Sequence, residues 1–152
     1  MIDGVLVVGY GNALRTDDGL GWHAAERLTQ DPRFDGVVVL QRHQLTLELA
    51  LDISTATLVV LVDSTSGSAP GELAVSHVER ATAGESTWSH HLGPGVLVAL
   101  AHELYGRAAD VFVVSCGVQS LEIGDRLSPL VEAALPRVVD AVADLVASLT
   151  VI

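Results

Sequence analysis

The sequence predicts a three-layer α/β/α sandwich whose central sheet of about five strands is mostly parallel, with room for one antiparallel edge strand. Three observations lead there. Short apolar runs, Val5-Leu6-Val7-Val8 and Leu58-Val59-Val60-Leu61-Val62 foremost, alternate with stretches of helical periodicity. Those runs are continuous, the mark of strands buried on both faces. The composition is 49% hydrophobic but only 4% aromatic, so the core is aliphatic, rich in Val, Leu and Ala. A chain of 152 residues suffices for one domain that buries roughly two-thirds of its unfolded surface. With no repeat, low-complexity tract or linker, a single domain is expected over 1–152.

The first strand is expected over Val5 to Gly9, and the first helix from near Asp18. Leu20, Ala24 and Leu28 recur at i, i+4 and i+8 to make its apolar face, and Asp31-Pro32 ends it. Gly36 to Leu40 reads as strand two. A short helix follows from about Thr46 to Ile53, offering Leu47, Leu49 and Ala50 for burial. Leu58 to Val62 is the central strand and stops at Asp63, with Ser64-Thr65-Ser66-Gly67 as a loop. Glu72 to Val78 alternates partially and fits an exposed edge strand, and Glu79 to Ser89 is loop-like. A helix from about Gly95 to Leu104 precedes a buried strand over Asp110 to Cys116. Ser128-Pro129 opens the last helix, since proline suits the first turn. It runs to about Ser148 with a stripe of Leu135, Val138, Val139, Val142 and Val146, and Pro136 is expected to kink it.

Charge and cysteine usage bound the function. Eight basic residues against 19 acidic give a net charge of −11, with no Lys/Arg cluster, which argues against nucleic acid or an anionic membrane as partner. The lone cysteine, Cys116, rules out an internal disulfide and suits a reducing compartment. The N-terminus lacks a basic segment, and Val5 to Val8 is too short for a signal peptide or membrane span, so a cytoplasmic location is expected.

Chemistry concentrates in Gly9-Tyr10-Gly11-Asn12-Ala13-Leu14-Arg15-Thr16-Asp17-Asp18-Gly19-Leu20-Gly21. Its glycines permit backbone angles and close approaches that a side chain blocks. Two carboxylates stand where a helix start favours negative charge, and one can cap while its neighbour points elsewhere. Asp63 follows five aliphatic residues, at the carboxyl edge of the sheet where open α/β folds place ligands. His90 precedes a helix and can reach that edge if its loop folds over it. Two carboxylates and an imidazole form a mixed O/N set suited to a divalent metal such as Ni or Zn. A metal-free pair, with one Asp protonated and the other ionised, is the alternative.

The motif Gly-x-Gly-Asn-x-Leu-x-x-Asp-Asp-Gly-x-Gly resembles the opening of the hydrogenase maturation proteases, small endopeptidases that trim the C-terminus of a nickel-containing hydrogenase large subunit. The resemblance continues through His43-Gln44-Leu45-Thr46-x-Glu48-Leu49 to Leu127-Ser128-Pro129, nearly the whole chain. It implies Asp18, Asp63 and His90 as the catalytic and metal-binding trio. The family often has Glu where Asp18 stands, one methylene longer. In Glu122-Ile123-Gly124-Asp125-Arg126, relatives tend to have a glycine in place of Arg126. The resemblance further implies that nickel arrives with the large-subunit precursor, that no organic cofactor is used, and that cleavage removes a C-terminal peptide near the cysteines holding the nickel. Such a metal would orient the scissile bond and activate water, with a carboxylate as proton acceptor. A monomer is expected, because no self-complementary apolar stripe is visible.

Other residues carry weaker signals. His91 rivals His90, and His43 follows strand two and can line the same edge. His23, His77 and His102 are expected at solvated surfaces, and Cys116 as an inert buried thiol. Trp22 and Trp88 flank the Asp pair and His90, suiting either docking or packing. Asn12 is expected to fix its loop through side-chain-to-backbone bonds. Two other functions compete with the protease. A non-catalytic nickel-binding scaffold would use the same trio. A nucleotide-binding domain would use Gly9-x-Gly11, but Leu14 replaces its third glycine and Asp17-Asp18 would repel a pyrophosphate.

Overall fold

The computed structural model describes residues 3–81 and 92–150. Its strands are β1 (Val5–Tyr10), β2 (Val38–Arg42), β3 (Leu58–Pro70), β4 (Leu73–His77) and β5 (Asp110–Gly117). The α-helices are α1 (Leu20–Thr29), α2 (Leu49–Thr55), α3 (Pro94–Tyr105) and α4 (Pro129–Thr150). The strands form one sheet in the order β2-β1-β3-β5-β4, parallel throughout except for β4, which pairs antiparallel with β5 at the edge. This is the expected sandwich, antiparallel edge strand included.

The continuous apolar runs are explained by burial on two faces. Along β3, Val60 and Val62 join Leu20, Ala24 and Leu28 of α1 and Val131, Leu135, Val138 and Val142 of α4 in one apolar cluster. The alternating residues Val59 and Leu61 join Leu49 and Ile53 of α2 and Leu97 and Ala101 of α3 in the other. Successive side chains of a strand point to opposite faces, so a strand between two helical layers needs an apolar residue at every position. Because β2 and β3 flank β1, the chain leaves β1 towards one side and returns on the other. That makes the β1/β3 boundary a topological switch point, where a crevice opens at the strands' carboxyl ends.

Several boundaries differ from expectation. β3 does not stop at Asp63 but runs to Pro70, because its backbone keeps pairing with β5 through Asp63↔Ser115, Ser64↔Cys116 and Thr65↔Gly117 before a bulge. The ladder needs no apolar side chains here, since these residues lie beyond the covered zone of the sheet. β2 is displaced from 36–40 to Val38–Arg42, set by its register of Leu6↔Val38 to Tyr10↔Arg42 with β1. A 3₁₀ turn over Thr16–Gly19 precedes α1, so the α-helix begins at Leu20 rather than near Asp18. α2 starts at Leu49, which leaves Leu47 exposed before it and buries Leu45 instead. α4 is one helix through Pro136, whose ring is exposed, with the expected stripe facing the sheet. The loop expected over 79–89 lies outside the described residues from 82 onward.

Candidate functional site

Glycines decide how β1 ends. A Cβ on Gly9 would stand 2.1 Å from the carbonyl oxygen of Gly21, and one on Gly11 would stand 1.9 Å from that of Asp18. Gly11 also has φ +149, a value that L residues rarely adopt. The backbone of β1 can thus touch the start of α1 and turn back beneath it. Asn12 fixes the turn: its Oδ1 accepts from Leu14 N at 2.9 Å and its carbonyl from Arg15 N at 3.1 Å. Thr16 takes φ +48 and donates its hydroxyl hydrogen to the carbonyl of Glu122. Gly124 bridges the same turn, its N–H bonded to Leu14 O and its carbonyl to Thr16 N.

The two adjacent aspartates part company. Asp17 is fully buried and points away from the crevice. Its Oδ2 accepts from Gln119 N (2.8 Å), Ser120 N (2.9 Å) and Ser128 Oγ (2.7 Å), and its Oδ1 from Ser128 N (2.8 Å). Burial pushes its carboxyl up, but the Ser128, Ser120 and Gln119 donors outweigh that and hold it below the usual range. Asp17 therefore staples the β5–α4 connection to the first turn. Asp18 accepts a backbone bond from Asn12 N at 3.0 Å and faces the crevice.

That crevice, about 550 Å³, is lined by Tyr10, Gly11, Arg15 and Asp18 from the first turn, and by His43, Gln44 and Leu45 after β2. Asp63 of β3 and Leu92, Gly93 and Pro94 at the start of α3 complete it. It lies at the β1/β3 switch point, on the face that carries α2 and α3. Burial raises the Asp63 carboxyl to about 6; the Ser64 N–H bonded to it at 2.7 Å and the neighbouring Tyr10 hydroxyl oppose the rise, and the nearby Asp18 charge adds to it. Burial and Asp63 together raise the Tyr10 phenol, which stays protonated. Two carboxylates in a half-enclosed hollow, one of them titrating near neutrality, can share a proton, pass one to a leaving group or receive a cation.

The structure thus brings Asp18 and Asp63 into one cleft. His90, His91 and Trp88 lie outside the described residues. His43 is on the cleft wall, stacked on Trp22 with ring centroids 4.7 Å apart, so Trp22 packs behind the site. Among the described residues no three His, Cys, Asp or Glu side chains converge as a metal site. His23, expected at a solvated surface, has its Nε2 buried with no hydrogen-bond partner among the described residues, because α1 there faces the 125–127 segment. His102 is half-buried rather than solvated, on the α3 flank. His77 is exposed, and its pKa is raised by hydrogen bonds to Glu79 and Asp110. Cys116 is buried and burial pushes its thiol up, which leaves it a poor nucleophile. A second hollow of about 510 Å³, between α1 and the start of α4, contains neither Asp18 nor Asp63 and is bordered by the Arg27–Glu132 ion pair. Tyr10 and Arg15 line the cleft and were not anticipated. Both belong to the Gly9–Gly21 stretch, but only strand register shows that Tyr10 stands beside Asp63.

Comparison with known proteins points to one family. The family model of the HycI hydrogenase maturation proteases matches residues 22–145. That match begins after Gly21, so it rests on different residues from the opening motif. The hydrogenase 2 maturation peptidase of a Thaumarchaeota archaeon is 28% identical, with TM-score 0.70 over 93% of this chain and 96% of that one. The maturating endopeptidase HybD of E. coli (23% identical, TM-score 0.73, 93% and 90% covered) has the same fold. So does the [NiFe] hydrogenase maturation protease HycI of Thermococcus kodakarensis (24%, 0.72, 95% and 92%). No curated protein sequence gives a significant match. With four-fifths of its length matched by the family model and its carboxylates set in one crevice, this chain belongs to the hydrogenase maturation proteases and is a peptidase.

Proposed function

We propose that this protease removes a C-terminal peptide from the nickel-loaded precursor of a hydrogenase large subunit, using Asp18, Asp63 and His90. One observation carries the reading: Asp18 and Asp63, 45 positions apart, face one cleft at the switch point of a peptidase fold. His90 is included because Leu92 and Gly93, which follow it closely in sequence, form part of the wall of that cleft. In this reading nickel enters with the substrate and polarises the scissile carbonyl. Asp18 and Asp63 offer hard oxygen donors and His90 an imidazole, a mixed set that suits nickel. A carboxylate of the pair takes the proton from the attacking water and returns it to the leaving amine. The chemistry is then nickel-dependent rather than that of a metal-free aspartic pair. The protein works as a cytoplasmic monomer; no helix among the described residues is long and apolar enough to cross a membrane.

The test is intact-mass analysis of a cognate large-subunit precursor, nickel-loaded and nickel-free, after incubation with the enzyme. The expected result is loss of a C-terminal peptide from the loaded form alone. Equal cleavage of both forms would favour the metal-free aspartic pair. Binding without cleavage of any cognate precursor would favour the scaffold reading.

A further inference from the structure

Among the described residues, the most exposed large apolar side chains are Ile123 (95%), Leu47 (66%), Leu14 and Leu104 (64% each). Single exposed leucines are ordinary on a protein surface, but Leu14, Leu47 and Ile123 gather around the cleft. Leu14 directly precedes Arg15, which lines it, and Leu47 follows the lining residue Leu45 by two positions. Ile123 belongs to the β5–α4 connection, far along the chain, and the backbone brings it beside Leu14.

Hydrogen bonds fix that juxtaposition. Arg15 and Gly124 form a parallel bridge, so Leu14 and Ile123 stand in register, each one position before a bridged residue. Leu14 O accepts from Gly124 N at 2.9 Å, and Gly124 O accepts from Thr16 N at 3.0 Å. The 119–124 segment is held at its other end by Asp17, whose carboxylate accepts from Gln119 N and Ser120 N and whose own N–H donates to Ser120 O at 3.1 Å. Two mutually tied loops therefore hold two branched aliphatic side chains out in water, where their apolar surface is unfavourable and adds nothing to the core. Anchors on a rigid scaffold lose little freedom when a partner covers them, so most of the burial appears as affinity.

Their position names the occupant. The cleft, about 550 Å³, accommodates only a short stretch of chain, whereas a specific protein–protein contact covers roughly 800 Å² on each partner. A substrate protein whose scissile bond lies between Asp18 and Asp63 must therefore rest on the surface around the cleft mouth. The Leu14–Ile123 pair is continuous with that mouth through Arg15.

We propose that Leu14 and Ile123 form a docking ridge for an apolar patch on the folded body of the large-subunit precursor, next to the tail that enters the cleft. The inference rests on the reading of this chain as the precursor's protease. The ridge supplies affinity away from the reacting bond, so its signature lies in KM rather than in turnover.

The experiment measures cleavage of nickel-loaded precursor by the Leu14→Ser/Ile123→Ser double variant, with Leu104→Ser as the comparison. Leu104 is as exposed as Leu14 but stands towards the far end of α3, about 15 Å along the helix from Pro94 on the cleft wall. None of the three side chains is buried, so thermal midpoints should match wild type. The double variant is expected to raise KM about 10-fold or more, with kcat within about twofold of wild type, while Leu104→Ser changes neither. Wild-type KM in the double variant overturns the ridge and leaves the protease reading standing, and so does an equal rise in Leu104→Ser. A wild-type dimer that the double variant converts to monomer in sedimentation assigns the ridge to a second copy and overturns the inference too. If wild type binds cognate precursor without cleaving it, the protease reading falls, and the same variants compared by dissociation constant still decide the ridge. If wild type neither binds nor cleaves cognate precursor, both fall.

Discussion

The Asp17 carboxylate accepts four hydrogen bonds, between 2.7 and 2.9 Å, from residues 102 to 111 positions away, whereas Asp18 accepts one from Asn12 and faces the cleft. The sequence shows that adjacent aspartates at a helix start can divide the work, but not which does what. The donors that hold Asp17 are mostly backbone N–H groups of a distant loop, and backbone groups leave no trace in composition. The two residues should therefore fail differently. In Asp17→Asn an NH₂ group replaces an acceptor oxygen among donors, leaving buried groups unpaired; a loss of about 2–4 kcal/mol of stability is expected. Asp18→Asn keeps an oxygen for Asn12 N and should fold normally while losing precursor cleavage. Urea unfolding beside the mass assay checks both. A stable Asp17→Asn, or an active Asp18→Asn, would reverse the assignments. His43 shows the same limit: its place after β2 was legible, its stacking on Trp22 was not.

At the scale of elements, the close fit between α1 and the sheet edge determines where the cleft opens. A Cβ on Gly21 would stand 2.2 Å from the carbonyl of Val62 and 2.4 Å from that of Tyr10, both rigid backbone. Gly21→Ala must push α1 off β1 and β3, at an expected cost of about 3 kcal/mol or more from overpacking. It should also lower cleavage, because the contacted backbone is that of Tyr10 itself and of Val62, which precedes Asp63. Chemical denaturation and turnover of the same variant test this, and wild-type stability would refute it. Periodicity and apolar runs made nearly all the elements legible, because each signal is local. The continuation of β3 to Pro70 was not. Ser64 to Ala69 carries no strand pattern, and its pairing is supplied by β5, about 50 residues on. The switch point was equally hidden, since it depends on strand order, which local patterns do not encode.

Across the whole molecule, two of the shifted groups make stability depend on pH in one direction. Asp63 titrates at about 6 in the folded protein against about 4 when unfolded. The fold therefore disfavours its charge, and the stability present below the unfolded value is lost as pH rises through about 6. His77 is raised by Glu79 and Asp110, so its contribution is present below about 6.5 and lost as pH rises through its folded value. Asp17 acts oppositely: lowered in the fold, it stabilises fully above about 4 and loses that only as pH falls towards its folded value. Between mildly acidic and alkaline conditions Asp17 is constant, while Asp63 and His77 both decline. The net charge of −11 adds self-repulsion of the same sign. Without nickel, the protein should accordingly melt higher near pH 5 than near pH 8. Asp63→Asn should be more stable than wild type near pH 8 by about 2–3 kcal/mol, the two-unit shift converted at about 1.4 kcal/mol per unit, and it should narrow the gap between the two conditions. If Asp63 acts as proposed, the same substitution should also abolish cleavage, the trade of stability for activity that such a site implies. Melting curves of both proteins at the two pH values decide it, and an Asp63→Asn protein no more stable than wild type near pH 8 would show that the Asp63 charge is accommodated without cost.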